Sequence, residues 1–147
     1  MSPATRFRLV ALLAIAGLFV SLYMLLYHLG FYGALACGPG SCDVVQASKW
    51  AYFLGVPVSA WGLGWYAAVL VLAFLLQAGR PETGPAGRLL ALAAIAGVAF
   101  SAYLTALELF VIHAICMWCV GSAVLSVLIF VLAAPWRAFR RGGALPS

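Results

Sequence analysis

Apolar residues run through this chain in four long blocks, broken by short polar stretches. The blocks are Leu9 to Tyr27, Pro57 to Gln77, Leu89 to Val111 and Ala114 to Ala134. Each is close to the ~20 mostly apolar residues that an α-helix needs to cross about 30 Å of hydrocarbon. The pattern predicts an all-α membrane protein, a four-transmembrane-helix bundle. Pro57 suits the first turn of the second helix, where a missing N–H costs nothing. The connection from Gly79 to Arg88 holds two prolines and three charges and reads as a polar turn. The third and fourth blocks nearly touch, which predicts a tight helical hairpin around Ile112 to Ile115.

Composition sharpens this picture. With 67% hydrophobic and 7% charged residues, the chain has too few polar residues to coat a soluble domain. The net charge of +5 is no nucleic-acid footprint, because the few charges cluster at the ends of apolar runs. Arg6, Arg8, Arg80, Arg88, Arg137, Arg140 and Arg141 fall on one side of the predicted membrane, and Lys49 alone on the other. The positive-inside rule then puts both termini and the Gly79–Arg88 turn in the cytoplasm. The long loop from His28 to Val56 faces outside, together with all four cysteines. A cleaved leader ending at Ala34-Leu35-Ala36 fits poorly, since that site lies about ten residues beyond an apolar run too long for a signal core.

The strongest chemical signal is Cys116-Met117-Trp118-Cys119. A Cys-x-x-Cys pair at a helix start sets both sulfurs on one face, within reach of a disulfide. Cys119 is expected about 4.5 Å deeper in the membrane than Cys116, which faces the outer water. The second pair, Cys37 and Cys42, flanks Gly38-Pro39-Gly40-Ser41, a turn-forming spacer. Ser41 or Asp43 would cap a short helix through Val44 to Ser48. A mobile dithiol beside a fixed one suits a two-step thiol–disulfide relay. Two structural disulfides are the plainer alternative, although a bond within Cys116–Cys119 would constrain little. A zinc site is disfavoured by the four-residue spacer and the lack of a ribbon pattern, so no metal is expected.

Other residues admit two readings. Ala93, Gly97, Ser101 and Thr105 recur every four residues on the third helix, as in a packing seam between helices in lipid. Trp61 and Trp65, with Trp50 and Trp118, form either an interfacial aromatic belt or a flat wall for a ring-shaped ligand. Glu108 is the one acid inside a span, either a hydrogen-bonded structural group or part of a proton path. His28 and His113 read as interfacial residues.

Taken in order, these motifs resemble the vitamin K epoxide reductase family in its bacterial disulfide-forming branch. The resemblance rests on Cys37 and Cys42, the run Cys42-Asp43-Val44-Val45-Gln46-Ala47-Ser48-Lys49-Trp50, Gly55-Val56-Pro57, Trp61-Gly62, and Cys116 to Cys119 opening the last helix. It covers nearly the whole chain, read as one domain of residues 1–147. It implies that Cys37 exchanges with a thioredoxin-like (DsbA-like) protein, that Cys42 attacks Cys116, and that Cys119 reduces a quinone of the ubiquinone, menaquinone or vitamin K type. It implies a loop hydroxyl at Ser48 and a ring pocket at Trp61 and Trp65. Ala123 stands one turn below Cys119, where animal members carry tyrosine, which favours quinone over epoxide as acceptor. No fused thioredoxin-like domain is expected after the fourth helix, the partner is expected to be a separate protein, and the setting a bacterial inner membrane. Two alternatives stand beside this reading: a vitamin K epoxide or quinone reductase, and a non-enzymatic tetraspan protein with structural disulfides. Quinone binding and oxidation of a thioredoxin-like protein separate them.

Overall fold

A computed structural model describes residues 3–30, 48–79 and 84–133. The loop cysteines Cys37 and Cys42, and the short helix expected through Val44 to Ser48 except for its last residue, lie outside the described residues. Four helices make up the body: α1 (Pro3–His28), α2 (Val58–Gln77), α3 (Pro85–Leu107) and α4 (Met117–Ala133). Three stretches are long and apolar enough to cross a membrane, Ala4–Tyr27, Val58–Gln77 and Pro85–Ile112. Among the described residues the fourth helix is apolar over 17 residues, or about 25 Å at 1.5 Å per residue.

The helices form a closed ring in which each packs on its sequence neighbours and α1 closes against α4. The α1–α2 contact is the most extensive and the α2–α3 contact the thinnest. One end of the ring is solid. There Phe7, Val10 and Ala14 of α1 meet Val69, Ala73 and Leu76 of α2, Leu90 and Ala94 of α3, and Ile129 of α4. The frequent alanines let the helices approach closely. At this end the Arg6 side chain is buried and its Nε donates to the Leu132 carbonyl oxygen at 2.6 Å. The buried arginine thus ties the start of α1 to the backbone of α4.

The other end is open, and a small hairpin closes it in part. A 3₁₀ turn (Lys49–Ala51) leads into strands β1 (Tyr52–Phe53) and β2 (Val56–Pro57), which pair antiparallel with Phe53 opposite Val56. Leu54 and Gly55 turn the chain with φ of 55° and 79°, the left-handed pair that a two-residue hairpin loop requires. Trp61 fixes the hairpin to α2 by donating its indole N–H to the Phe53 carbonyl oxygen at 2.9 Å.

Several expected boundaries shift. Pro57 ends β2 and stands just before α2 instead of inside its first turn. It is Pro85 that opens a helix, in the first turn of α3. The third span does not end as plain α-helix: Glu108–Ile112 widen into a π-helical turn. His113 then takes a left-handed conformation, with φ 56° and ψ 34°. The Glu108 carbonyl oxygen accepts the N–H groups of His113 and Ala114, which closes the helix. The fourth helix begins at Met117, three residues later than expected.

Candidate active site

The open end encloses a cavity of about 370 Å³ to which all four helices contribute. Its size follows from where small side chains fall. The stripe on α3 faces both of its neighbours, α2 at Gly97 and α4 at Ser101. Gly97 gives way to the Trp65 ring, which a β-carbon there would overlap. Trp65 is fixed in that slot by its indole N–H, which donates to the Ala93 carbonyl oxygen at 2.8 Å. Ser101 bonds across to Ser126 of α4 at 3.0 Å. Gly97, Ser101 and Thr105 thereby form one wall of the cavity.

Aromatic rings supply the other walls. Phe53, from the hairpin, stands edge-on to Trp61 at 5.8 Å and to Phe100 at 5.5 Å between centroids. Trp65 is edge-on to Tyr66 at 4.8 Å, and Gly17 of α1 leaves room for the Tyr66 ring. The Tyr66 hydroxyl reaches Ser122 Oγ at 2.8 Å and donates to its carbonyl oxygen at 3.0 Å. Trp50, Trp61 and Trp65 all line the cavity. Trp118 lies elsewhere, packed at 5.0 Å on Tyr23 of α1. The first three tryptophans are thus placed as cavity wall, and Trp118 is not.

The Cys-x-x-Cys pair meets this cavity at the start of α4. Cys116 precedes the helix and Cys119 lies in its first turn. The Cys116 carbonyl oxygen accepts the Val120 N–H at 3.0 Å, the first bond of the helix. The two thiols are unbridged and in hydrogen-bond contact with each other. Cys116 is not the water-facing sulfur expected from its position. Cys116 has no exposed surface and packs with Met24, Tyr23 and Tyr27 of α1. Cys119 is partly exposed, and that exposure is to the cavity it lines. A buried sulfur thus backs a sulfur open to whatever fills the cavity.

Of the other residues singled out, Ala123 lines the cavity one turn after Cys119, and Trp61 and Trp65 flank it. Ser48 stands in extended backbone before the 3₁₀ turn and is half-buried, but it is not on the cavity wall. Among the described residues no cluster of three metal-ligating side chains occurs.

Four contributors escape a site list drawn from sequence. Phe53 and Phe100 come from segments with no chemical motif. Ser59 is a buried hydroxyl on the cavity wall with no hydrogen-bond partner. Glu108 is 4% exposed, and its Oε2 accepts the Cys116 N–H at 3.1 Å. Its carboxyl is also within hydrogen-bonding reach of the Cys119 thiol. The signal for Glu108 was its lone charge in an apolar run; its partners follow only from the π turn that folds Cys116 back onto it.

A helical membrane bundle that sets a dithiol against an aromatic cavity has the makings of a thiol oxidoreductase. The model of the Vitamin K epoxide reductase family matches residues 8–134, most of the chain, and the protein belongs to that family. Family membership makes it an oxidoreductase whose thiol chemistry is linked to quinone or vitamin K.

The cavity suits such a ring. Pockets for small organic ligands measure roughly 300–1,000 Å³, with apolar walls and a few placed polar groups. This one has flat indole and phenyl walls, and its orphaned Ser59 hydroxyl is a donor of the kind a ring carbonyl accepts. Cys119 opens onto the same space.

Proposed function

We propose that this protein is a quinone-dependent thiol oxidoreductase that reoxidises a separate thioredoxin-like protein and so drives disulfide formation outside the cytoplasm. The observation that carries the reading is the placement of Cys119 on the wall of an aromatic cavity, with Cys116 buried behind it. In this scheme a partner thiolate attacks Cys37 of a Cys37–Cys42 disulfide and the partner's second thiol resolves the mixed bond, leaving the partner oxidised and Cys37 and Cys42 as thiols. Electrons reach the fixed pair when Cys42 attacks Cys116 and Cys119 leaves as a thiolate. A quinone held by Trp61, Trp65 and Phe53 supplies a two-electron, two-proton sink. Ser48 would act where the loop meets the bundle. The seven-to-one distribution of basic residues favours an outward-facing active site in a bacterial inner membrane.

The alternative within the family is reduction of vitamin K epoxide or its quinone. Ala123 is the observation that bears on it: a methyl group here leaves space and provides no hydroxyl beside the ring. Quinone as acceptor is the better fit. The test is a coupled assay in which purified protein is given a reduced thioredoxin-like protein and a short-chain quinone. Loss of partner thiols matched by quinone reduction supports the reading. Epoxide reduction without quinone-dependent partner oxidation would replace it with the alternative.

A further inference from the structure

Glu108 is a carboxyl group that the electron path above does not use. It is almost fully buried, it lines the cavity, and two of its neighbours are the backbone N–H of Cys116 and the thiol of Cys119. A carboxyl is expensive in an apolar bundle. Accepting one backbone N–H does not account for it, since a neutral amide would do the same with less desolvation. The local backbone is built around this position. The π turn starts at Glu108, whose carbonyl oxygen ends α3 while its side chain receives the residue that begins the Cys-x-x-Cys motif. Such widened turns are frequent where a helix has to place a functional group. The titratable groups packed at this corner are Cys116 and Cys119, with Tyr23 and Tyr27 of α1 in the Cys116 cluster; His113, on the same turn, is exposed.

We propose that Glu108 is the proton acceptor for the Cys119 thiol and passes that proton into the cavity. The Cys116 N–H holds the carboxyl in place, and the Cys119 S–H is its proton source. The assignment rests on the quinone-linked reading given above. When the pair closes, two S–H bonds break, one S–S bond forms, and two electrons and two protons leave the dithiol. The Cys119 proton moves first to the Glu108 carboxylate and then to one oxygen of a quinone. The Cys116 proton follows through the same carboxyl to the second oxygen. The products are the Cys116–Cys119 disulfide and the quinol, and Glu108 ends as it began.

The test reads the thiol itself. Full-length protein carrying Cys116→Ser keeps the backbone N–H and leaves Cys119 as the one sulfur of the pair. Its alkylation by iodoacetamide is followed by peptide mass spectrometry across pH, with and without Glu108→Gln. Glutamine still accepts the Cys116 N–H, so it removes the base and keeps the cap. The expected result is alkylation slowed roughly tenfold or more near neutral pH, with a rate that now rises in proportion to hydroxide. Glu108→Asp should restore part of the rate. Faster alkylation in Glu108→Gln would mean that Glu108 merely repels the thiolate, and an unchanged rate that it is structural; either overturns the proposal. If the glutamine variant does not fold, the parent with Glu108 decides the matter: its log rate should climb in two steps, for the carboxyl and the thiol, and a single step overturns the proposal. Adding a short-chain quinone to the reduced wild-type protein separates the two claims. No electron transfer there defeats the quinone-linked reading whatever the alkylation rates show, whereas transfer with unchanged alkylation defeats only the role of Glu108.

Discussion

Replacing either sulfur of the Cys-x-x-Cys pair removes a reacting atom but little packing. Cys116→Ala and Cys119→Ala should abolish turnover and each lower stability by about 1 kcal/mol. Thermal unfolding in detergent beside the partner-oxidation assay checks both. A stable variant with full quinone-dependent activity would take that cysteine out of the relay. Gly97 behaves in the opposite way, since it carries no chemistry and yet fixes the cavity wall. A β-carbon at this position meets the Trp65 indole, so Gly97→Ala should cost about 1–3 kcal/mol by overpacking and displace that ring. A lowered melting temperature with altered tryptophan fluorescence is expected; unchanged values would mean the slot is looser than described. Ala123 faces the same space from α4. A tyrosine there fills part of it, so Ala123→Tyr should weaken binding of a bulky naphthoquinone more than that of a benzoquinone, as read by titration of intrinsic fluorescence.

Among the elements, the hairpin and the π turn position the chemistry, and both were hidden in the sequence. Phe53 links β1 to α2 and α3 through its edge-on contacts with Trp61 and Phe100. Edge-to-face pairs of this kind are worth ~0.5–1.5 kcal/mol each. Phe53→Ala should thus raise the quinone dissociation constant roughly tenfold while leaving alkylation of Cys119 nearly unchanged. Equal affinity would show that the hairpin does not cover the ligand. The four apolar runs were legible because the demand of a hydrocarbon core for length and apolarity is written in composition alone. Two-residue strands give no alternation to read, and Tyr52 to Val56 passed for part of a loop while Pro57 passed for the start of a helix. The widening after Leu107 is invisible for a related reason: Leu109 to Ile112 are as apolar as the helix before them, and hydropathy does not register which carbonyl an N–H selects. The stripe at Ala93, Gly97, Ser101 and Thr105 was visible as a pattern, but its meaning depended on Trp65 arriving from α2 to fill the gap at Gly97. The Cys-x-x-Cys motif was plain, yet which sulfur is buried was decided by Met24, Tyr23 and Tyr27 on α1, more than eighty residues earlier in the chain.

The whole molecule divides its tasks between its ends. Close packing of small and branched residues makes one end rigid, and a buried arginine ties α1 to the backbone of α4. The opposite end holds the cavity, the dithiol and the hairpin. The basic residues Arg6, Arg8 and Arg88 fall at the packed end of the chain's helices, which predicts that the cavity opens away from the cytoplasm. Labelling of reduced intact cells with a membrane-impermeant maleimide should modify Cys37 without permeabilisation; labelling only after permeabilisation would invert the topology. The relay order gives a further expectation at this scale. Cys37→Ser should accumulate a Cys42–Cys116 disulfide, and a bond from Cys42 to Cys119 would reverse the order. Electron transfer from the fixed pair to a quinone is the central step. It is measured on a Cys37→Ser, Cys42→Ser protein, in which Cys116 and Cys119 are the only thiols. Titrating the reduced protein anaerobically with a short-chain quinone, while following quinol by absorbance and disulfides by mass spectrometry, should give one Cys116–Cys119 bond for each quinone reduced. Quinone that stays oxidised while both thiols remain intact would contradict the account.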